Sequence, residues 1–527
     1  MKLRHNTAIA VICLCLAVPA AGQDGLRNFL FTKGTDNNLM FSNPAFLDSW
    51  KGKMSVAELS FFKQDGALKA LEESPDSWAL KAGTESYCRA SDKICFHGDL
   101  SWYDFQGKGM GGQILMDPAY NPVNFLENTE TTSGLKKKEL YSLSGGMSLA
   151  LNENLSLGIS SKYVAGDFTK VKDPRFSNIW MDLCVDAGIR SVLAGNISLG
   201  ASLKWRSTLE QLKGSIFGET GRQYYIDNDK GGFFGTITEL SGDNNYVSDS
   251  NFRPMKNNWY GAAVQAYIKD CFSSEISFML RDGYFGKKSS TSATFFEFSG
   301  MKLAYDGMLT LPYGRNLRQL SIHAGFESLG NNENDVETTT PVGGSTIYIY
   351  KRQNHIFDRS VFSADLDYRW MRNVESSYPD LILGARADFH SLTQRTELQA
   401  YYRNQDIAHV EAAVYAQKTF PVKRILFSVD AALSAYTGFG TKKDDGTIAS
   451  SSSTTLRSFD GYLDKHFEFE TAPRAGVSLA FTFTLPCKGG IAPYLKLSDR
   501  FTTLTKDNEY LDGKTRNVAA IVLGCNF

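Results

Sequence analysis

Residues 516–527 read RNVAAIVLGCNF, and the sequence stops on the ring of Phe527. Ala519, Ile521, Leu523, Cys525 and Phe527 share one face of an extended chain, because successive side chains in a strand point to opposite sides. A soluble domain usually finishes in a few loosely held polar residues. An alternating apolar ending is expected instead where the last strand closes a barrel by pairing with the first, which leaves no edge to protect.

The same period of two recurs upstream. In NISLGASLKWRS, Ile197, Leu199, Ala201, Leu203 and Trp205 alternate with Ser198, Gly200, Ser202, Lys204 and Arg206. VFSADLDYRW separates Phe362, Ala364, Leu366, Tyr368 and Trp370 from Ser363, Asp365, Asp367 and Arg369, and ILFSVDAALSAY repeats the pattern from Ile425. A soluble two-sheet sandwich also alternates. Three features favour a single transmembrane antiparallel β-barrel. The strands are about ten residues or longer, aromatic side chains such as Trp180, Trp205, Tyr284 and Trp370 gather toward their ends, and short turns alternate with long polar connections. The expected set is about 18 strands (range 14–20): 53–63, 80–90, 95–106, 138–151, 154–167, 178–192, 196–207, 257–269, 273–285, 294–310, 317–329, 355–372, 379–391, 407–419, 424–437, 470–485, 490–500 and 516–527. Long outer connections are expected at 168–177, 208–256, 286–293, 330–354, 392–406, 438–460 and 501–515. Residues 107–137 form a loop or one more hairpin.

Composition narrows the partners. The 527 residues carry 56 basic and 57 acidic side chains, a net charge of −1. No clustered positive charge points to nucleic acid. With 35 Phe, 24 Tyr and 46 Gly against 14 Pro, the chain suits pleated strands and tight turns. Its start, MKLRHNTAIAVICLCLAVPAAGQ, has a basic end, an apolar run too short to span and small residues at 20–22, as a cleaved secretory signal does. The expected organisation is a signal peptide at 1–22, a periplasmic or luminal segment at 23–50 and an outer-membrane β-barrel at 51–527. The implied location is the outer membrane of a Gram-negative bacterium, in contact with lipid and lipopolysaccharide. Six cysteines remain beyond the signal, and Cys88 and Cys95 flank the turn RASDKI as a candidate disulfide.

Residues 85–125, ESYCRASDKICFHGDLSWYDFQGKGMGGQILMDPAYNPVNF, with LKKKELYSLSGGMSL and KYVAGDFTKVKDPRFSNIWMDL, resemble a family of Bacteroidetes outer-membrane β-barrels of unknown function. LKWRSTLEQLKGSIFG and LRDGYFGKKS fit the same family. The resemblance implies a surface barrel that works beside energised nutrient transporters, with a TonB-dependent transporter or a surface lipoprotein as partner. It implies no reaction.

No residue pattern supplies one either. A barrel hydrolase needs a nucleophile beside a histidine that a carboxylate or Asn orients. His390 and Ser391 are adjacent and so face opposite ways, and the pairs His97 with Asp99 and His409 with Glu411 have no nucleophile in view. DNDKGG at 227–232 echoes a calcium loop, but its third acidic position is Gly231 and its twelfth is Thr238. No cofactor or metal site is expected, and catalytic residues are none. The expected lumen is mixed in sign, lined by Lys162, Asp186, Arg190, Lys204, Arg206, Arg281, Glu327, Asp365, Asp367, Arg369 and Asp430. The longest outer loop carries Tyr224, Tyr225, Phe233, Phe234 and Tyr246 among Gly, Asp and Asn, as ligand-binding candidates or as a packing cap for the mouth. The leading reading is a non-enzymatic barrel for solute passage, or an accessory of a surface nutrient-uptake complex. A barrel hydrolase and a secretion-associated or adhesive scaffold are the alternatives. A lipid channel would need an apolar passage, which the charged inward faces oppose.

Overall fold

Lys53–Asp65 (β1) pairs with Thr515–Asn526 (β23) from Val56 opposite Asn526 to Asp65 opposite Asn517, and Phe527 and Ser55 exchange backbone hydrogen bonds of 3.0 and 2.7 Å. That seam joins the first wall strand to the last. In this computed structural model, residues 28–527 are described apart from 117–120, 128, 219–220, 243–244, 290–291, 345–346, 375–377 and 449–454. The signal expected at 1–22 lies outside the described residues. Between the seam strands the wall continues through β2 (Asp76–Arg89), β3 (Ile94–Met110), β6 (Gly134–Asn152), β7 (Leu155–Lys170), β8 (Arg175–Ala194) and β9 (Ile197–Ser215). It passes on to β12 (Arg253–Ile268), β13 (Phe272–Ser289), β14 (Ser292–Tyr313), β15 (Asn316–Thr339) and β16 (Ile347–Arg372). The circuit ends with β17 (Leu381–Leu398), β18 (Tyr401–Val422), β19 (Ile425–Thr447), β21 (Arg474–Thr484) and β22 (Ala492–Leu504). The result is a closed antiparallel barrel of 18 strands.

Closure and side-chain polarity together fit lipid. Every wall strand pairs on both sides, so its backbone groups need no water, as the hydrocarbon layer requires. The outward positions are apolar and uncovered: Leu203 is 70 % exposed, Val264 58 % and Leu433 59 %. A continuous apolar band of that kind is unstable in water and stable against acyl chains.

Several connections expected as long loops are strand. The spans 286–293, 330–354 and 392–406 are mostly the outer ends of hairpins β13–β14, β15–β16 and β17–β18, and β19 runs to Thr447. Above the membrane both faces of a strand meet water, so polar residues on both faces hide the period. Cys88 and Cys95 are free. The register sets Cys95 opposite Arg89 and Cys88 opposite Phe96, one position out of step, which turns the two side chains to different faces.

Three outer connections fold inward as a cap. They contribute β4 (Gly112–Gln113), β5 (Asn124–Glu127), β10 (Tyr225–Asp229), β11 (Phe234–Glu239) and β20 (Leu456–Ser458), which form a second sheet in the order β20-β11-β10-β5-β4. Beneath it Phe125, Leu212, Phe285, Phe296 and Phe357 pack as one buried cluster with the inward faces of the outer wall. Polar anchors pin the cap. Glu127 is fully buried and meets the ammonium groups of Lys136, at 3.1 Å, and Lys170. Arg403, 1 % exposed, holds Asp445 at 2.7 Å and donates to the carbonyl oxygens of Gly232 and Phe233. The helix Asp460–Thr471 joins this layer through buried Leu463 and through Tyr462, whose hydroxyl donates to the Glu127 carbonyl.

At the other end, residues 28–50 cross the lumen. Asn43 caps a short 3₁₀ turn through the Ala45 amide, and its amide nitrogen donates to Ile189, Ala201 and Gln265 at 2.9–3.1 Å. Lys33 reaches Glu85 at 2.7 Å, Arg89 reaches the Trp50 carbonyl at 2.7 Å, and Ser273 and Thr310 hold Asn37. Gly158 makes room for this crossing, because a Cβ there would strike the Pro44–Ala45 backbone. Gly158→Ala is therefore expected to unseat residues 28–50 at a cost of about 1–3 kcal/mol. Limited proteolysis in detergent should cut that segment faster than in wild type, while heat-dependent gel migration shows the barrel intact.

Candidate functional site

Small side chains leave a space on one side of the lumen. On the inward faces of β19, β21, β22 and β23 stand Ala432 and Ser434, Gly476, Ser478 and Ala480, Ser498, and Ala520. Large residues on the opposite arc pack against the cap and the N-terminal crossing, but these positions have nothing long enough to reach across. A cavity of about 860 Å³ results. Its outer end lies under the helix Asp460–Thr471, which contributes Phe469 and Glu470.

That helix is tied to the wall by a polar cluster. The Nδ1 atom of His409 is 3.1 Å from the Glu470 carboxylate, and the Tyr436 hydroxyl donates to the Glu470 carbonyl at 2.7 Å. Arg474 donates to the Phe469 carbonyl at 2.6 Å and lays its guanidinium over the Tyr436 ring at 3.8 Å. Burial opposes charge on Glu470, yet the hydrogen bond to His409 and the fields of His466, His409 and Arg474 hold its carboxyl below the ordinary range. Gly438 is required by close approach, since a Cβ there would meet the backbone of Glu470 and Thr471.

The expected lumen residues fall into local pairs. Lys204 sits 3.3 Å from Asp186, Arg206 is 2.8 Å from Asp182, Arg281 is 3.2 Å from Glu327 and Arg369 is 3.1 Å from Asp367. Arg190 lies 3.9 Å from Asp48 of the N-terminal crossing and over the Phe46 ring, and Asp365 is 3.7 Å from Arg386. Lys162 stands opposite Ser144 and Cys184 in register. Arg369 and Asp430 border the cavity.

Among the aromatic loop candidates, Tyr224 and Phe233 are buried in the cap and Phe234 packs beneath the Arg403 guanidinium at 5.0 Å. Tyr246 packs on Phe296 and bonds Glu333, whereas Tyr225 is 51 % exposed. The DNDKGG stretch has a structural use: Asp229 accepts the Gly231 amide at 2.9 Å and shapes the turn between β10 and β11. His390 stacks on His409 at 5.1 Å, Glu411 binds Arg500 at 2.9 Å, and His97 is 3.1 Å from Glu85 instead of Asp99. Glu470 went unrecognised in the sequence because it belongs to a loop helix 61 residues from His409. The run of small residues at 476, 478 and 480 was the legible sign of a void.

Burial pushes the carboxyls of Asp227 and Asp229 up to about 6. Both hold a proton in the folded cap at a pH where an unfolded chain has lost it. Their effect therefore strengthens the β10–β11 hairpin as pH falls through about 6 and weakens it as pH rises. After correction for intrinsic rates, hairpin amide hydrogens should exchange severalfold more slowly at pH 5.5 than at pH 7.5. The double variant Asp227→Asn with Asp229→Asn should lose most of that difference. His466, whose buried imidazole is held below its usual range, acts in the opposite sense in both proteins.

Solved structures with a similar outline include BauA, the ferric preacinetobactin receptor of Acinetobacter baumannii, at TM-score 0.40 and 6 % identity over 90 % of this chain and 80 % of that one. The RagAB peptide transporter matches at TM-score 0.38 and 10 % identity over 90 % and 74 %. The FrpB iron transporter of Neisseria meningitidis matches at 0.38 and 9 % over 92 % and 84 %. No curated protein sequence matches the chain significantly. A family model, described as a family of unknown function (DUF6850), matches residues 44–527, and the chain belongs to that family.

Proposed function

We propose that this chain is a non-enzymatic outer-membrane β-barrel that admits a polar solute to a luminal cavity under control of its outer cap. The observation that carries the reading is the cavity of about 860 Å³, lined by small and apolar side chains with charged ones such as Asp430, Lys496 and Arg500 at its border, beneath a cap pinned by the buried Glu127 ion pairs and by Arg403. A permanently open pore has no use for such anchors, and the charged residues at the cavity border favour a solute with polar groups of its own. The cap also supports a role beside a surface uptake partner, because a partner that pulled on the cap would open the way to the cavity. A TonB-dependent transporter or a surface lipoprotein fits that part. A hydrolase would need a nucleophile beside a carboxylate-oriented histidine, and His409, which Glu470 orients, has the rings of His390 and Tyr436 packed against it instead.

Arg403→Ala tests the gate. It removes the cation that joins Asp445, Ser458 and the Gly232–Phe233 turn, and it weakens the cap by about 2 kcal/mol, below the cost of breaking a fully buried pair because Asp445 is 45 % exposed. In planar bilayers the wild-type chain is expected to pass little steady current, and Arg403→Ala at least tenfold more. A large steady wild-type conductance that the substitution leaves unchanged would contradict a capped passage.

A further inference from the structure

Most charged groups on the cavity wall are already matched. Arg500 has Glu411, Glu470 has His409, Arg516 has Glu73, Arg369 has Asp367, and Asp499 accepts from Asn517 at 2.9 Å. Arg474 is held by the Phe469 carbonyl and two aromatic rings. Asp430 and Lys496 differ. Among the described residues neither side chain makes a hydrogen bond or an ion pair, and Asp430 feels Lys496 only through the field of its ammonium.

Their spacing follows from the register. Asp430 stands opposite Ala480, and Ala480 opposite Ser498, so Lys496 lies one strand beyond β21 and two residues nearer the periplasmic end. Two inter-strand spacings and a two-residue rise along β22 put the two Cα atoms about 12 Å apart. Between the two charges β21 presents the short side chains of Ala480, opposite Asp430, and Thr482, opposite Lys496. A carboxylate and an ammonium so placed present opposite charges with only short, uncharged side chains between them. A lone cation or a lone anion would satisfy one end and leave the other without a partner. A solute bearing both charges satisfies both through charge-assisted hydrogen bonds and leaves the net charge of the lumen unaltered.

We propose that Asp430 and Lys496 form a binding subsite for a small zwitterionic solute, an amino acid or short peptide, whose ammonium meets Asp430 and whose carboxylate meets Lys496. The assignment rests on the cavity being a solute site, and it names the class of solute. A cavity of about 860 Å³ has room for several residues of peptide.

The test is calorimetric titration of the full mature chain in detergent with triglycine and with N-acetyl-triglycinamide, which has the same backbone and no charged ends. Saturable triglycine binding is expected, at least tenfold tighter than that of the capped compound. Asp430→Asn and Lys496→Met should each weaken triglycine binding about tenfold, and Asp430→Asn should also remove the penalty for acetylating the amine alone. Heat-dependent gel migration confirms that each variant is folded. Equal affinity for free and capped triglycine, wild-type affinity in both variants, or no saturable binding at millimolar concentration would each overturn the subsite. If Arg403→Ala still raises conductance while triglycine fails to bind, the zwitterion assignment falls and the capped passage stands.

Discussion

The hydrogen-bonded seam between β1 and β23 is the constraint on which everything else depends. A strand in lipid cannot leave its amide and carbonyl groups unpaired, and a sheet has two edges unless it closes. Here the ten registered positions from Val56 to Asp65 remove both edges at once. Closure then forces each wall strand to have one face toward lipid and one toward the lumen. The outward apolar residues follow from that geometry, and so does the polarity inside.

What happens within the lumen is decided by side-chain size. On the arc from β7 to β15 the inward positions either are glycines that admit the N-terminal crossing, as at Gly158, or bear groups that bind it, as do Gln265, Glu275 and Ser273. Higher on the arc, inward Phe285, Phe296 and Phe357 give the cap an apolar seat. On the arc from β19 to β23 small inward residues, Ala432, Ser434, Gly476, Ser478, Ala480, Ser498 and Ala520, leave a gap that neither the crossing nor the cap fills. The cavity is thus the remainder of two packing problems solved on the other side of the barrel. Its charged border sets the polar class of what can enter.

The sequence was most informative where water and lipid impose a strict alternation. Strand number and the polarity of each face could be read from stretches such as NISLGASLKWRS, whereas several connections expected to be long are strand. Alternation failed as a guide above the membrane, where β15 and β16 continue through residues polar on both faces. It also could not fix a one-residue register in the second hairpin, and so it brought Cys88 and Cys95 together although they are out of step. Charged inward residues were identifiable singly, but their partners were not. Arg206 with Asp182, and His409 with Glu470, depend on which strands become neighbours and on how a loop helix folds back. The aromatic residues of the long loop were visible as a cluster, and only tertiary packing distinguishes exposed Tyr225 from buried Tyr224 and Phe233.

Closure can be measured without any assumption about function. In a variant lacking the native cysteines, Leu59→Cys and Leu523→Cys stand directly opposite across the seam, whereas Leu59→Cys and Ile521→Cys are two positions out of register. Mild oxidation in outer-membrane preparations should join the first pair within one chain and leave the second largely unjoined. Failure of the directly opposed pair to cross-link in folded protein would contradict a closed barrel, and with it the cavity and the cap.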